Sequence, residues 1–205
     1  MEIHLITHSN SPRVSRRQRE QLNGHRGGVI YMTGLSGAGK STLAGLVERE
    51  LHELGLRTCI IDGDDLRTGL CSDLGYTDRD RIENMRRATE VARLMVNTGM
   101  LVVSAMISPF RLERDAARAR FKPDDFMEVY VDTPLIVCES RDPKGLYARA
   151  RRGEIPGFTG IDSRYEAPHR PELRIDTTRQ TPAEAASALL DFMRQRGYFE
   201  ESVET

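Results

Sequence analysis

Gly34-Leu-Ser-Gly-Ala-Gly-Lys-Ser-Thr42 decides how this chain is read, because it fits G-x-x-x-x-G-K-[ST] between an apolar run, Val29 to Thr33, and an amphipathic stretch beginning at Lys40. Phosphate oxygens need several donors converging from one side, and glycine lets the backbone wrap tightly enough for successive N–H groups to point inward. Gly34, Gly37 and Gly39 supply that freedom, and Leu35, Ser36, Ala38 and Thr42 complete the expected ATP-binding loop. The helix that follows offers unpaired N-terminal N–H groups and its positive dipole end to the same anion. Lys40 is expected to reach the β- and γ-phosphates, and the Ser41 hydroxyl to ligate Mg²⁺. The bland alternative is a glycine-rich turn with a chance Lys-Ser, but pattern, strand and helix coincide here. The loop leaves open whether the terminal phosphate goes to water, to a protein or to a small molecule.

Outward from the loop, short apolar runs alternate with long amphipathic stretches, which is how a parallel sheet with crossover helices reads. The fold class expected is α/β, a three-layer P-loop NTPase fold with a mostly parallel five-stranded sheet. The strands expected are Val29 to Thr33, Thr58 to Ile61, Leu101 to Ile107, Phe126 to Val131 and Leu173 to Ile175. A helix from Lys40 to Leu54 carries Leu43, Leu46, Val47, Leu51 and Leu54 on one stripe, and Gly55 ends it. A second, Asp80 to Asn97, spaces Ile82, Met85, Ala88, Ala92 and Met95 by three and four, with Gly99 as its stop. Pro182 to Arg196 is the last helix. Residues 142–160 hold two prolines, four glycines and only scattered apolar side chains, so they read as a mobile lid.

Residues 1–27 are polar and Arg-rich, a loosely docked leader with room for one short helix, its charge spent on solvation. Residues 28–199 read as one P-loop domain and 200–205 as a frayed tail. The length of 205 residues suits one domain with a small lid, and 39% apolar residues suffice for a core. Thirty basic residues against 31 acidic leave a net charge of −1, which lacks the field that draws a protein onto nucleic acid or an anionic membrane. Arginine dominates the basic set, 27 to three, the lysines being Lys40, Lys122 and Lys144. No window approaches a membrane span and no signal-peptide h-region opens the chain. Cys59, Cys71 and Cys138 are odd in number and widely spaced, which fits a reducing cytoplasm better than a disulfide framework or zinc site. The five histidines lack metal-ligand spacing and read as ordinary polar contacts.

The second strand runs into Asp62-Gly-Asp-Asp-Leu-Arg67, and the carboxyl ends of strands in an open parallel sheet form the ligand crevice. Phosphoryl transfer to an alcohol needs one group to accept the hydroxyl proton and another to hold the metal. Asp64 is the expected base. Asp62, on the same extended backbone, would hold a Mg²⁺ water or fix the loop. An Asp-Gly turn with solvated acids is the rival reading.

From Gly27 to Leu173, the segments GLSGAGKST, DGDDLRTGLCSDLGYT, DRIENMRR, ISPFR, VDTPL, RDPKGLYARAR and FTGIDSRYEAP follow one another in an order that resembles the adenylylsulfate kinase (APS kinase) family. The resemblance implies a P-loop kinase with a mobile lid, usually dimeric. It also implies ATP as donor, adenosine 5'-phosphosulfate as acceptor and 3'-phosphoadenylylsulfate as product in sulfate activation. It further implies that Arg67 and Arg81 bind the phosphosulfate, a task for which planar guanidinium groups suit better than lysine. Asn84, three residues after Arg81 on one helix face, would hydrogen-bond the same nucleotide. Tyr76 and Phe158 would stack on the acceptor adenine, with core packing as the rival reading, and Ile107 and Ser108 would contact the acceptor. In-line transfer needs no phosphoserine, so Ser108 is read as a binding residue. Lys144, delivered by lid closure with help from Arg149 and Arg152, would neutralise charge on the transferred group. Arg86 and Arg87 read as solvated helix face.

Three positions depart from the family pattern: Tyr76 where Phe is more frequent, Asp65 where Asn is frequent, and Ala148 where Lys is usual. They bear on acceptor affinity and lid contacts and leave the catalytic groups in place. Two alternatives remain at this point. One is a P-loop kinase for another small nucleoside or alcohol, which has no need of Arg67, Arg81 and the paired aromatics. The other is a non-catalytic nucleotide-sensing domain partnering an ATP sulfurylase, which would be expected to have lost Lys40, Asp62, Asp64 or Lys144.

Overall fold

The computed structural model describes residues 14–200. Five parallel strands form one sheet in the order β2-β3-β1-β4-β5: β1 is Gly28–Thr33, β2 Thr58–Asp62, β3 Leu101–Ala105, β4 Phe126–Asp132 and β5 Leu173–Asp176. All five expected strands are present. The central strand is buried along its whole length and alternates between two cores. Ile30 and Met32 face one core with Leu43, Val47 and Leu51 of α2 (Lys40–Glu53) and Leu189 and Met193 of α8 (Pro182–Gln195). Val29 and Tyr31 face the other with Met85, Ala88, Ala92 and Val96 of α4 (Asp78–Asn97). Each buried Val, Leu, Ile and Met among them contributes about 1.5–3 kcal/mol of hydrophobic stabilisation, so these two layers hold the central strand in place.

The helix termini differ from expectation where polar capping outranks apolar spacing. The helix α4 starts two residues early, since Thr77 accepts from the Asp80 amide and Asp80 reaches back to the Thr77 amide. Its buried stripe takes in Arg81 and Asn84, whereas Ile82, expected in the stripe, is exposed. At the end of α2, Leu54 is the C-cap and is exposed. The third strand stops at Ala105, short of the expected Ile107, and Ser108 stands at φ 45°, outside any strand conformation.

The leader is bound more firmly than its charge suggested. Ser15 caps helix α1 (Arg16–Asn23), and Arg16 donates to Asp125 and, at 2.8 Å, to the Gly27 carbonyl, while Asn23 donates to Gly99 at 3.0 Å. Its arginine is therefore a docking group and not mere solvation. Residues 1–13 of the leader and 201–205 of the tail lie outside the described residues.

Four short α-helices and a 3-10 turn, Pro123–Asp125, complete the fold among the described residues: α3 (Gly63–Thr68), α5 (Arg111–Arg118), α6 (Leu135–Arg141) and α7 (Leu146–Arg151), the last inside the segment read as a lid. Among the described residues no helix is long and apolar enough to cross a membrane.

Candidate active site

The register Met32 to Ala105 and Asp62 to Ala105 brings the carboxyl ends of β1, β2 and β3 level, and the loop after β1 lies at that edge. Gly34, at φ 156°, leaves no room for a side chain: a Cβ there would lie 2.5 Å from the Val131 carbonyl oxygen. Gly37 (φ 71°) and Gly39 (φ 105°, the N-cap of α2) adopt backbone conformations that side chains disfavour. The Tyr147 hydroxyl donates to the Ser36 carbonyl at 3.0 Å, and Thr133 donates to the Ala38 carbonyl at 3.1 Å. The loop's carbonyls are thus held from outside.

Lys40 is buried, and its Nζ donates to the Gly34 and Leu35 carbonyls at 2.9 and 2.8 Å. Burial pushes its pKa down to about 8, the mark of a cation lacking a full charge partner. Next to it, Ser41 Oγ donates to Asp62 Oδ2 at 2.7 Å, and the other Asp62 oxygen accepts from the Asp64 amide at 2.9 Å. Asp62 thereby caps α3, which places Asp64 in a first helical turn rather than on the extended backbone expected for it. The Asp64 carboxylate pairs with Lys144, whose pKa rises through that bond, and both side chains are largely exposed. Arg149 and Arg152, read as helpers of Lys144, both turn to Glu154.

The remaining predicted residues fall into two groups. Arg67 donates to the Gly75 carbonyl at 2.6 Å, and its guanidinium lies 4.3 Å from the centre of the exposed Tyr76 ring. Arg81 was expected to face the anion, but its three nitrogens go to the Tyr76 carbonyl (2.9 Å), the Gly157 carbonyl (2.5 Å) and the Thr159 hydroxyl. It ties the Tyr76 segment to the Phe158 segment. Asn84, buried on the same helix face, keeps an Nδ2 without a partner among the described residues. Phe158 is buried edge-on against Tyr147, ring centroids 5.0 Å apart at 82°, so core packing holds part of this ring. Arg86 and Arg87 bond Glu83, and Arg87 also grips Asp73, consistent with a helix-surface role.

Ser108 is buried, its Oγ donating to the Tyr31 hydroxyl at 3.0 Å. Its carbonyl accepts from Arg114 at 2.7 Å, as the Ile107 carbonyl does from Thr33 Oγ1 at the same distance. Sequence reading passed over Arg114, which is 2% exposed and also donates to Glu128 Oε1 (2.8 Å) and the Glu166 carbonyl (2.6 Å). It passed over Tyr147, Thr133 and Thr177 as well, the last hydrogen-bonded to Thr133 at 2.6 Å. For Thr133 and Tyr147 the available signal was their place in the quoted segments VDTPL and RDPKGLYARAR, whereas Arg114 and Thr177 lie outside every quoted segment.

Comparison with known proteins settles the family, because residues 26–176 match the sequence profile described as Adenylylsulphate kinase. The chain belongs to the adenylylsulphate kinase family. The adenylyl-sulfate kinase of Citrobacter koseri is 53% identical over 191 residues, covering 93% of this chain and 94% of the relative. That of Klebsiella pneumoniae is 56% identical over 182 residues, covering 89% and 90%. Among solved structures, the APS kinase of Mycobacterium tuberculosis in complex with AMPPNP and APS superposes with a TM-score of 0.79 at 48% identity, over 83% of this chain and 99% of that one. As an adenylylsulphate kinase family member, the chain is an ATP-dependent kinase.

Proposed function

We propose that the chain transfers the γ-phosphoryl group of ATP to the 3'-hydroxyl of adenosine 5'-phosphosulfate, giving ADP and 3'-phosphoadenylylsulfate. The observation that carries this reading is one chain of contacts: Ser41, at the mouth of the phosphate loop, bonds Asp62, and Asp62 caps the turn that presents Asp64 to Lys144. A donor phosphate held by the loop then stands beside an exposed carboxylate and the exposed cation paired with it.

In this reading Asp64 orients the acceptor hydroxyl and takes its proton as the new O–P bond forms and the bond to ADP breaks. The exposed pair between Asp64 and Lys144 is worth at most about 1 kcal/mol. Substrate can therefore displace it, freeing Asp64 for the hydroxyl and Lys144 for charge on the phosphoryl group. Closure of residues 142–160 would deliver Lys144. The Ser41 hydroxyl and Asp62 carboxylate are adjacent hard oxygen donors, a set that suits Mg²⁺ held mainly by phosphates and water. Bound there, Mg²⁺ would supply charge neutralisation on the donor phosphates. Arg67, Tyr76, Asn84, Ile107, Ser108 and Phe158 form the acceptor wall, and Arg81 keeps its two aromatic segments in register. The unpartnered Asn84 Nδ2 is the donor available to the acceptor. The buried Ser108 hydroxyl, already engaged with Tyr31, supports binding and not phosphoryl relay.

A coupled ADP-release assay tests the reading with adenylylsulfate, adenosine, AMP or no acceptor. Turnover is expected with adenylylsulfate and is lost in Asp64→Ala; ADP release that ignores the acceptor would identify an ATPase instead.

A further inference from the structure

The Tyr147 side chain touches both halves of the site. It is 1% exposed, its hydroxyl donates to the Ser36 carbonyl in the phosphate loop at 3.0 Å, and its ring meets Phe158 edge-on. Its backbone is fixed as well, since the Asp142 carboxylate accepts from the Tyr147 and Ala148 amides at 3.0 Å each. The two halves also meet directly: a Cβ on Gly160, two residues after Phe158, would lie 3.1 Å from Leu35 of the loop. Phe158 in turn sits in a tight turn, its carbonyl accepting from Ile161 and Ser163.

A phosphate loop must settle its peptide planes when a polyphosphate fills it, because the donors of the nest all belong to the backbone. Any adjustment at Ser36 moves the acceptor of the Tyr147 hydroxyl. The Tyr147 ring is packed between backbone it cannot leave and Phe158, so the movement reaches the acceptor aromatic. We propose that Tyr147 is a positioning residue that couples the two substrate sites, so that donor nucleotide in the loop tightens binding of adenylylsulfate against Phe158. By linkage the acceptor tightens donor binding by the same factor. The proposal rests on the reading of Phe158 as part of the acceptor wall.

The test is calorimetric titration of adenylylsulfate into the full chain with and without saturating AMPPNP. For the wild type the dissociation constant is expected to fall at least about fivefold when AMPPNP is present, the lower end of ordinary coupling. Tyr147→Phe keeps the ring and removes the bond to Ser36; it should bind adenylylsulfate alone within about twofold of wild type while its coupling factor drops toward one. A purely structural tyrosine would leave that ratio unchanged. An unchanged ratio in Tyr147→Phe, or a wild-type ratio of one, overturns the proposal. Phe158→Ala separates the two readings: if it leaves adenylylsulfate affinity untouched, the acceptor assignment itself fails, whereas weakened binding in Phe158→Ala with an intact ratio in Tyr147→Phe sinks the coupling alone. Hydrogen exchange gives a second readout, with AMPPNP slowing the amides of residues 158–163 in the wild type and not in Tyr147→Phe.

Discussion

Ser41 and Asp62 are joined by a 2.7 Å hydrogen bond that links the first turn of α2 to the end of β2. The bond makes Asp62 serve two structures at once, since its other oxygen caps α3. Asp62→Ala should therefore cost about 1 kcal/mol of stability from the lost cap, and also raise the Mg²⁺ concentration needed for half-maximal rate. Thermal melts and a Mg²⁺ titration of initial rates check the two effects separately. An Asp62→Ala enzyme with wild-type Mg²⁺ dependence would remove Asp62 from the metal site.

Asp64→Asn keeps the size and the local hydrogen bonding but accepts no proton. Its kcat is expected to fall by about 10²- to 10⁴-fold with little change in KM for ATP. Lys144→Met should lower kcat as well, and its melting temperature should stay near that of the wild type because the lost pair is exposed on both sides. A large loss of stability in Lys144→Met would mean the pair is structural.

Gly34→Ala places a methyl against the Val131 carbonyl on a backbone with φ 156°. Relieving this contact requires the loop backbone or the end of β4 to shift, so binding of an ATP analogue by calorimetry is expected to be lost. Detectable binding at wild-type strength would show that the loop tolerates a side chain there.

Arg114 and Glu128 form a buried pair at 2.8 Å, and breaking one partner of such a pair costs about 3–5 kcal/mol. Arg114→Met should lower the melting temperature strongly, and adding Glu128→Gln should recover part of the loss by removing a buried carboxylate left with only its 3.4 Å contact to Arg118. Because Arg114 also holds the Ser108 carbonyl, the double variant should still show a raised KM for adenylylsulfate.

Acid stability follows from Glu172. Burial works to raise its pKa, but the bonds from Arg118 and the Glu128 amide outweigh that and hold it below the usual carboxylate range. A lowered folded-state pKa means that the unfolded chain binds the proton first. Its stabilisation is complete above the unfolded pKa of about 4.3 and is lost as pH falls through the folded value. In urea melts, Glu172→Gln should be less stable than wild type at pH 7, the gap closing as the pH drops below 4.3.

What the sequence disclosed and what it hid divide along physical lines. The phosphate loop and the strands were legible because each carries a local signal: glycines at fixed spacing, and apolar runs that only a buried sheet explains. The third strand was read two residues too long, since apolar Met106 and Ile107 look like strand although Ser108 turns at φ 45°. Arg81 and Asn84 were found on one helix face by spacing, but that Arg81 serves two loop segments was invisible, as its partners are the Gly157 carbonyl and the Thr159 hydroxyl, 76 and 78 residues away, and the nearby Tyr76 carbonyl. Arg114 escaped notice because a buried arginine looks in sequence like any surface one. The short helices α3, α5 and α6 begin at turns and caps, where apolar periodicity has too few residues to register.

A chain with 27 arginines and three lysines has a chemical consequence. Amine-directed acylation finds few targets, and the three differ in access: Lys122 is open, Lys144 is open but paired, and Lys40 is enclosed with its nitrogen bonded to two carbonyls. A mild acylating reagent read out by mass spectrometry therefore needs no engineered tag: Lys122 serves as the internal standard, and the extent of labelling at Lys144 reports whether a nucleotide has taken it away from solvent.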